Sequence, residues 1–509
     1  MTPARADHWG RWLPWVLFAG ALALRLYRLP ANPLWLDELY GVQLGRLGLG
    51  AVLANSLADP HPPLNYVLLW LGSGLAAARS EWAYRWIAAL AGAATVPLVY
   101  SLARRWAGVG AAALAALMLL LSPAHLYYSQ EARAYASAMV LAALSAWLLL
   151  TDRLRPPARW RWWAAVTAAG LLLDYAYLMV AGVQAVFALA LARRQPGAWR
   201  ALVVVALVVA VIAPWAAVTL PVSARAFVGE PLRLWSTAQA LTGGDLARYG
   251  PLWAHAWLAG GLALVGGLGV WQLARRAADP WALYAPAQWL LPLGAFFLVV
   301  SPLFGVNLHA YDARQFLVLL PAALVTAAAG LEQSAAWLRQ AGAWLGGLRA
   351  AEWLAAAAGL ALLTGLAAAS AAGLLRYWEQ SKSPEGEVAR FVRDHGPAGA
   401  AVVSLHYSVD AALSFYAPDA PAYFTKPQRT DRGVFFADTL SVQLRDWRDL
   451  PRPHPLAEIS AYPRRWVAWE QGSSDELAAQ LTAGCAPVPG AAAAFGPFQV
   501  MLVDGCPVR

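Results

Sequence analysis

Residues 107–150 read AGVGAAALAALMLLLSPAHLYYSQEARAYASAMVLAALSAWLLL, and this stretch decides the architecture. Its two apolar runs, 107–122 and 134–150, carry no charged residue. Each approaches the roughly 20 residues with which a helix crosses the hydrocarbon of a bilayer. The segment joining them is short, yet it holds Tyr127, Tyr128, Gln130, Glu131 and Arg133. A plain hairpin turn needs far less.

The same alternation extends outward in both directions. Apolar runs suited to membrane spans occur near 12–29, 63–78, 85–103, 107–122, 134–150, 161–173, 176–192, 200–218, 252–274, 283–303, 315–331 and 351–375. They predict a mainly α, polytopic transmembrane bundle of about 11 to 13 spans. Composition agrees: of 509 residues, 60% are hydrophobic and 13% charged, and the mean hydropathy is +0.48. Soluble domains carry about 25% charged residues. The net charge of +9 comes almost wholly from arginine, with Lys382 and Lys426 the two lysines. These arginines punctuate the ends of apolar runs instead of clustering on a polar face, which argues for loop charge in a membrane protein and against nucleic-acid binding. Arg5 and Arg11 precede the first run, and Ala21 to Ala23 could serve as a signal-peptidase site. Because further spans follow at once, the run is read as an uncleaved first helix.

The arginine-rich connections set orientation. Arg104 and Arg105, Arg153 to Arg161, Arg193 to Arg200, Arg275 and Arg276, and Arg339 and Arg349 are assigned to the cytoplasm. Segments 123–133, 219–251 and 304–314, and everything after 376, then lie outside. One conflict of parity remains, because full crossings by both 63–78 and 85–103 would put Arg104 and Arg105 outside. The first outer loop, 30–62, is counted with a membrane domain of residues 1–375, and its apolar spacing (Leu39, Val42, Leu44, Leu47, Leu49, Val52, Leu53) suits a helix lying on the interface. Residues 376–509 turn polar and Pro-rich. Helices over 385–395, 409–416 and 474–483 and strands over 400–405, 466–470 and 498–503 predict a small α/β extracytoplasmic domain. There Cys485 and Cys506 could pair, or stand as two buried thiols.

Ionisable groups beside a membrane are costly and are functional candidates by default. Asp37 and Glu38 follow Trp35 and Leu36 in the first outer loop. Asp37 could cap a helix that Glu38 favours electrostatically, or one carboxylate could act as a general base or cation ligand. Next comes Asp59-Pro60-His61-Pro62-Pro63-Leu64, whose prolines fix a turn that projects His61. In the 122–135 connection, offsets from Tyr128 put Glu131 and Tyr135 on one helical face and Arg133 on another. Arg133 suits bidentate phosphate binding, and the tyrosines suit a sugar or lipid neck. Arg314 could be a second phosphate ligand or a snorkelling flank. Asp174, with Tyr175 and Tyr177, is read as an interfacial turn, and Arg25 and Arg28 as snorkelling residues or contacts for an anionic headgroup. No Walker loop, dinucleotide-type glycine pattern, HExxH or metal-type cysteine spacing is present. ATP-driven chemistry is thereby disfavoured, and an enzyme of this kind needs a donor activated in the lipid.

The acid pair in the first outer loop, then His-Pro-Pro-Leu, then Tyr-Ser-Gln-Glu-Ala-Arg-x-Tyr over 128–135, in this order and on one side, resembles the bacterial branch of the protein O-mannosyltransferase family. That family belongs with the polyprenyl-phosphate-dependent membrane glycosyltransferases of the GT-C fold, which include the aminoarabinose transferases. The resemblance implies inverting transfer of a sugar from a polyprenyl phosphate of the undecaprenyl type to a glycan, lipid or protein hydroxyl at the outer face of a bacterial inner membrane. By the same resemblance Asp37 is the base, and Glu38 orients the acceptor or supports Asp37. His61, Tyr128, Gln130, Glu131, Arg133, Tyr135 and Arg314 line the substrate and phosphate site. Some relatives of this fold use a divalent cation while the mannosyltransferase branch is thought not to, and no clear ligand set argues for one here. The long luminal repeat domains of eukaryotic mannosyltransferases are absent. The competing readings are a transporter or flippase of the same lipid, and a noncatalytic envelope assembly protein.

Overall fold

The computed structural model describes residues 3–46, 48–56, 61–76, 80–151, 156–192, 196–226, 252–276, 279–300, 310–345, scattered residues between 353 and 379, 381–396, 400–418, 422–424 and 462–507. Two compact units divide the chain. One comprises residues 1–29, 60–78 and 82–377, the other 30–59, 79–81 and 378–509. The sequence reading kept 30–62 with the membrane domain, whereas contacts group 30–59 with the C-terminal region.

The helices begin with α1 (Pro3–Leu26), α2 (Leu36–Gly45), α3 (Leu49–Ser56), α4 (Leu64–Leu75), α5 (Glu81–Ala103), α6 (Val109–Leu121), α7 (Pro123–Ser129), α8 (Tyr135–Leu150), α9 (Pro156–Leu173) and α10 (Tyr177–Ala192). Helices Pro196–Ala226, Leu252–Ala274, Tyr284–Ala295 and Leu320–Leu345 follow in the same helical unit. Among the described residues, four stretches are long and apolar enough to cross a membrane: 81–103, 197–214, 281–299 and 314–340. The α6–α7 pair passes the same test as a bent unit, and shorter apolar helices cover 12–26, 64–75, 135–150, 177–190 and 263–274. The expected span 351–375 lies largely outside the described residues. At 12 residues, α4 rises about 18 Å, against roughly 30 Å of hydrocarbon.

A bend of 55° separates α6 from α7. Its cause is local: Ser122 leaves helical geometry at ψ 118°, its Oγ accepts the His125 N–H at 3.2 Å, and Pro123 has no N–H to continue the ladder. All seven residues of α7 are buried. The expected outer hairpin is therefore a short, enclosed helix, and a single helical face over 128–135 does not exist, because α7 ends at Ser129 and α8 begins at Tyr135. Arg25 does not snorkel either. It is fully buried and donates to the carbonyls of Ala21 at 3.1 Å and Leu119 at 3.4 Å, with Nη2 lying 2.5 Å from His125 Nδ1.

Polar glue and small residues hold the helices, as expected where lipid supplies no hydrophobic drive between them. Gln184 donates to Ser145 Oγ (2.8 Å) and the Tyr284 hydroxyl (2.9 Å) while accepting from Trp163 Nε1 at 2.9 Å, and Tyr177 also donates to Ser145. Gly269 and Gly330 let helices Leu252–Ala274 and Leu320–Leu345 touch backbone to backbone. A Cβ on Gly269 would overlap the Thr326 carbonyl, and one on Gly330 the Val265 carbonyl.

The second unit contains a five-stranded sheet of order β2-β1-β3-β5-β4, with β1 (Ala401–Ser404), β2 (Ala422–Phe424), β3 (Arg465–Glu470), β4 (Ala486–Phe495) and β5 (Phe498–Asp504). β1 is parallel to β2 and β3, while β5 is antiparallel to β3 and β4. Helices Pro384–His395, Tyr407–Tyr416 and Asp475–Thr482 occupy the positions the periodicity predicts. Cys485 and Cys506 form a disulfide. Leu39, Val42 and Leu44 of α2 are at most 2% exposed, and Gln43 donates to Ser414 Oγ at 2.5 Å. The apolar side of α2 is thus covered by protein, whereas Leu49 and Leu53 of α3 stand 40% and 46% exposed.

Replacing Gly330 by Leu should force the two glycine-bearing helices apart, at a cost of about 1–3 kcal/mol. A lowered thermal midpoint of the detergent-solubilised protein is expected, and an unchanged midpoint would contradict the close packing.

Candidate functional site

In the helical unit, four connections converge. His61 stands two residues before the Pro63 that opens α4, Arg133 lies in the bends between α7 and α8, Asp174 in the turn between α9 and α10, and Arg314 on the 3-10 turns that lead into helix Leu320–Leu345. Arg133 Nη2 lies 3.4 Å from His61 Nε2. The Arg314 guanidinium carbon sits 5.5 Å from the centroid of Tyr135, within cation–π range. Asp174 is the acid of the group. Burial pushes its carboxyl up, while the Ala176 N–H, donating at 2.8 Å, and the charges of His61, Arg133 and Arg314 partly offset that rise.

Two arginines and one histidine against one carboxylate leave this cluster positive. Arginine forks match phosphate oxygens and hold them without a proton to lose. Beside the cluster runs a line of tyrosines: Tyr127 and Tyr128 at 5.0 Å, Tyr128 and Tyr135 at 5.1 Å, and Tyr127 and Tyr377 at 5.2 Å between centroids. Such faces suit a sugar ring or the first isoprene units of a lipid.

The other candidates of the 122–135 connection separate into different tasks. Gln130 spends its amide on the carbonyls of Arg25 (2.9 Å) and Tyr27 (2.8 Å), and so tethers the connection to the end of α1. Glu131 is fully buried. Asp59 lies outside the described residues, as do Asn307 to His309. Among the described residues no group of three His, Cys, Asp or Glu side chains is placed to hold a metal ion.

The acid pair belongs to the second unit. Trp35, and not Asp37, occupies the N-cap of α2, which puts Asp37 and Glu38 in the first turn, near the positive end of the helix dipole. Glu38 is fully buried; its Oε2 accepts the Trp35 N–H at 3.3 Å and lies 3.6 Å from Lys382 Nζ. Asp37 is half-buried. Near it, Glu385 accepts the Leu36 N–H at 3.2 Å, and burial, with the charge of Asp37 added, pushes the Glu385 carboxyl up. Tyr407 is pushed up to about 12 by burial and by the negative charges of Asp37, Glu385 and Glu470. The two adjacent carboxylates are therefore unequal: Glu38 is consumed in structure, and Asp37 retains access.

Residues 60–217 match the family described as dolichyl-phosphate-mannose-protein mannosyltransferase, a range that includes His61, the whole 122–135 connection and Asp174. The chain has the fold of the GT-C membrane proteins. Its fold is similar to that of ArnT from Cupriavidus metallidurans in the apo state, at a TM-score of 0.58 and 18% identity, covering 98% of both chains. The same protein bound to undecaprenyl phosphate gives 0.56 and 17%, covering 96% of this chain and 97% of that one. The archaeal oligosaccharyltransferase AglB from Archaeoglobus fulgidus, in complex with an inhibitory peptide and a dolichol-phosphate, gives 0.50 and 12%, covering 91% and 70%. No curated protein matches the sequence.

Three residues of these groups are not singled out as site residues by the sequence. Asp174 reads as an interfacial turn, although a lone acid between two apolar runs is a usable signal; Arg133 and Arg314 come near it only in the fold. Lys382 and Glu385 gave none, since their partners lie more than 340 positions away.

Asp410, in the first turn of helix Tyr407–Tyr416, has a buried Oδ1 without a hydrogen-bond partner among the described residues. Burial raises its pKa to about 7. The folded state then keeps a proton that the unfolded chain releases near pH 4, so stability falls as pH rises from about 4 to about 7. Asp410→Asn is expected to raise the melting midpoint at pH 8, with a smaller gain at pH 5. Equal gains at both would contradict the assignment.

Proposed function

We propose that the transferase moves a sugar from a polyprenyl phosphate of the undecaprenyl type to an acceptor hydroxyl, with inversion at the anomeric carbon. Asp37 takes the proton from the acceptor hydroxyl. Its oxygen attacks the anomeric carbon opposite the leaving group, the bond to the phosphate oxygen breaks, and polyprenyl phosphate departs with the electron pair. Arg133, Arg314 and His61 hold the phosphate and stabilise the charge that grows on it, and Tyr128 and Tyr135 flank the lipid-linked sugar. Asp174 moderates the positive cluster so that the product lipid phosphate can leave. Glu38 supports Asp37 from within the protein.

The observation that carries this reading is the grouping of Arg133, His61, Arg314 and Asp174, three of which fall inside the matched family range. The ordered motifs and the asymmetry of the acid pair agree with it. ArnT was seen with undecaprenyl phosphate and AglB with a dolichol-phosphate and a peptide, which fits a lipid-phosphate donor and leaves glycan, lipid and protein hydroxyls as acceptor classes. The arginine distribution supports a reaction site and second unit on the extracytoplasmic side of a bacterial inner membrane.

Liposomes loaded with a polyprenyl-phosphate sugar and an acceptor test the proposal. Wild-type protein should form a new glycosidic product, and Asp37→Asn should reduce turnover by about 10³-fold or more while remaining folded. Undiminished turnover in that variant would remove Asp37 from the role of base. Leaflet exchange of the lipid without any transfer would favour a flippase instead.

A further inference from the structure

The segment Lys382–Gly386 grips the backbone and side chains of the Leu34–Glu38 segment residue by residue. Ser383 Oγ donates to the Leu34 carbonyl at 2.9 Å, and the Gly386 N–H donates back to Ser383 Oγ at 3.1 Å. Glu385 Oε1 accepts the Leu36 N–H at 3.2 Å, and Tyr416 receives the Leu34 N–H on its hydroxyl at 2.7 Å. Gly386 lies so close to Pro33 that any Cβ there would overlap the proline ring. At the end of the grip, Lys382 Nζ meets Glu38 Oε2 at 3.6 Å, with side chains 2% and 0% exposed.

We infer that Lys382 is a positioning residue of the transfer reaction: by neutralising Glu38 inside the protein it fixes the first turn of α2, and with it the direction of the Asp37 carboxylate. This rests on the reading of Asp37 as the base. Three features make the ion pair more than packing. Glu38 points back to the N-cap amide of α2, so its charge and the start of the helix are mechanically one element. Asp37 is the very next residue along the chain, and a displacement of about 1 Å at a catalytic group is enough to cost two orders of magnitude in rate. Asp37 and Glu385 also raise the Tyr407 hydroxyl together with Glu470, so loss of the ammonium removes a positive charge from a neighbourhood already rich in acids. A buried pair broken on one side leaves an uncompensated charge, while neutral replacement of both partners is tolerated.

The test compares full-length wild type, Lys382→Met, the double variant Lys382→Met with Glu38→Gln, and Asp37→Asn, using polyprenyl-phosphate sugar and acceptor across pH 5 to 9. Lys382→Met is expected to lower kcat by about 10- to 100-fold, with KM for the donor changed less than about threefold, and to move the acid limb of kcat/KM to higher pH. The double variant, which buries no unpaired charge, should recover kcat to within about fivefold of wild type and return the limb. Should Lys382→Met fail to fold, the double variant decides alone. A folded Lys382→Met with wild-type kcat and pH profile, or a folded double variant as slow as the single one, overturns the inference while Asp37→Asn remains inactive. An active Asp37→Asn overturns the reading of the base, and this inference with it.

Discussion

A charge withdrawn from water has to find compensation close by, and this constraint organises the whole molecule. With 13% charged residues in 509, few ionisable groups stand near the apolar helices. Those that do are set against opposite charge. Arg133, Arg314 and His61 share Asp174 in the helical unit, whereas Glu38 meets Lys382 in the other. The first group keeps a positive excess, which suits the phosphate of the proposed donor, and the second leaves the Asp37 carboxylate for the proposed activation of a hydroxyl.

The same constraint explains why neighbouring residues part ways. Asp37 and Glu38 are chemically near-identical, yet only Glu38 is drawn fully inside, because its offset of three from the N-cap lets it reach the Trp35 amide. Arg25 is drawn in as well, by the carbonyls of Ala21 in its own helix and of Leu119 beside the α6–α7 break, and by the ring nitrogen of His125. Break, buried arginine and the tethering Gln130 together fix the connection that carries Arg133.

Much of the fold was legible because hydrophobic runs and arginine-capped ends need no partner to be recognised. The helices at 385–395 and 409–416 and the strands at 401–404 and 466–470 followed from local period alone. β4 was missed, since its Ala- and Pro-rich run, 486–495, has no strand signature and forms only because β5 offers an edge. The bend at Ser122 and Pro123 had a local cause, but a motif-bearing stretch invited reading as one continuous face. α2 looked interfacial because spacing reports an apolar side without naming what covers it. Of the candidate site, the sequence points to His61, Arg133 and Arg314; Asp174 shows there only as a lone acid, and Lys382 pairs with a residue distant in sequence.

The proposed division of labour by sign can be measured most directly through equilibrium binding of undecaprenyl phosphate to the purified protein, its Arg133→Met/Arg314→Met variant and its Asp37→Asn variant. The account predicts binding weakened by at least about 100-fold when the arginines are removed, and binding within about threefold of wild type when Asp37 is neutralised. Equal affinity in all three proteins, or loss of binding confined to the Asp37 variant, would contradict it.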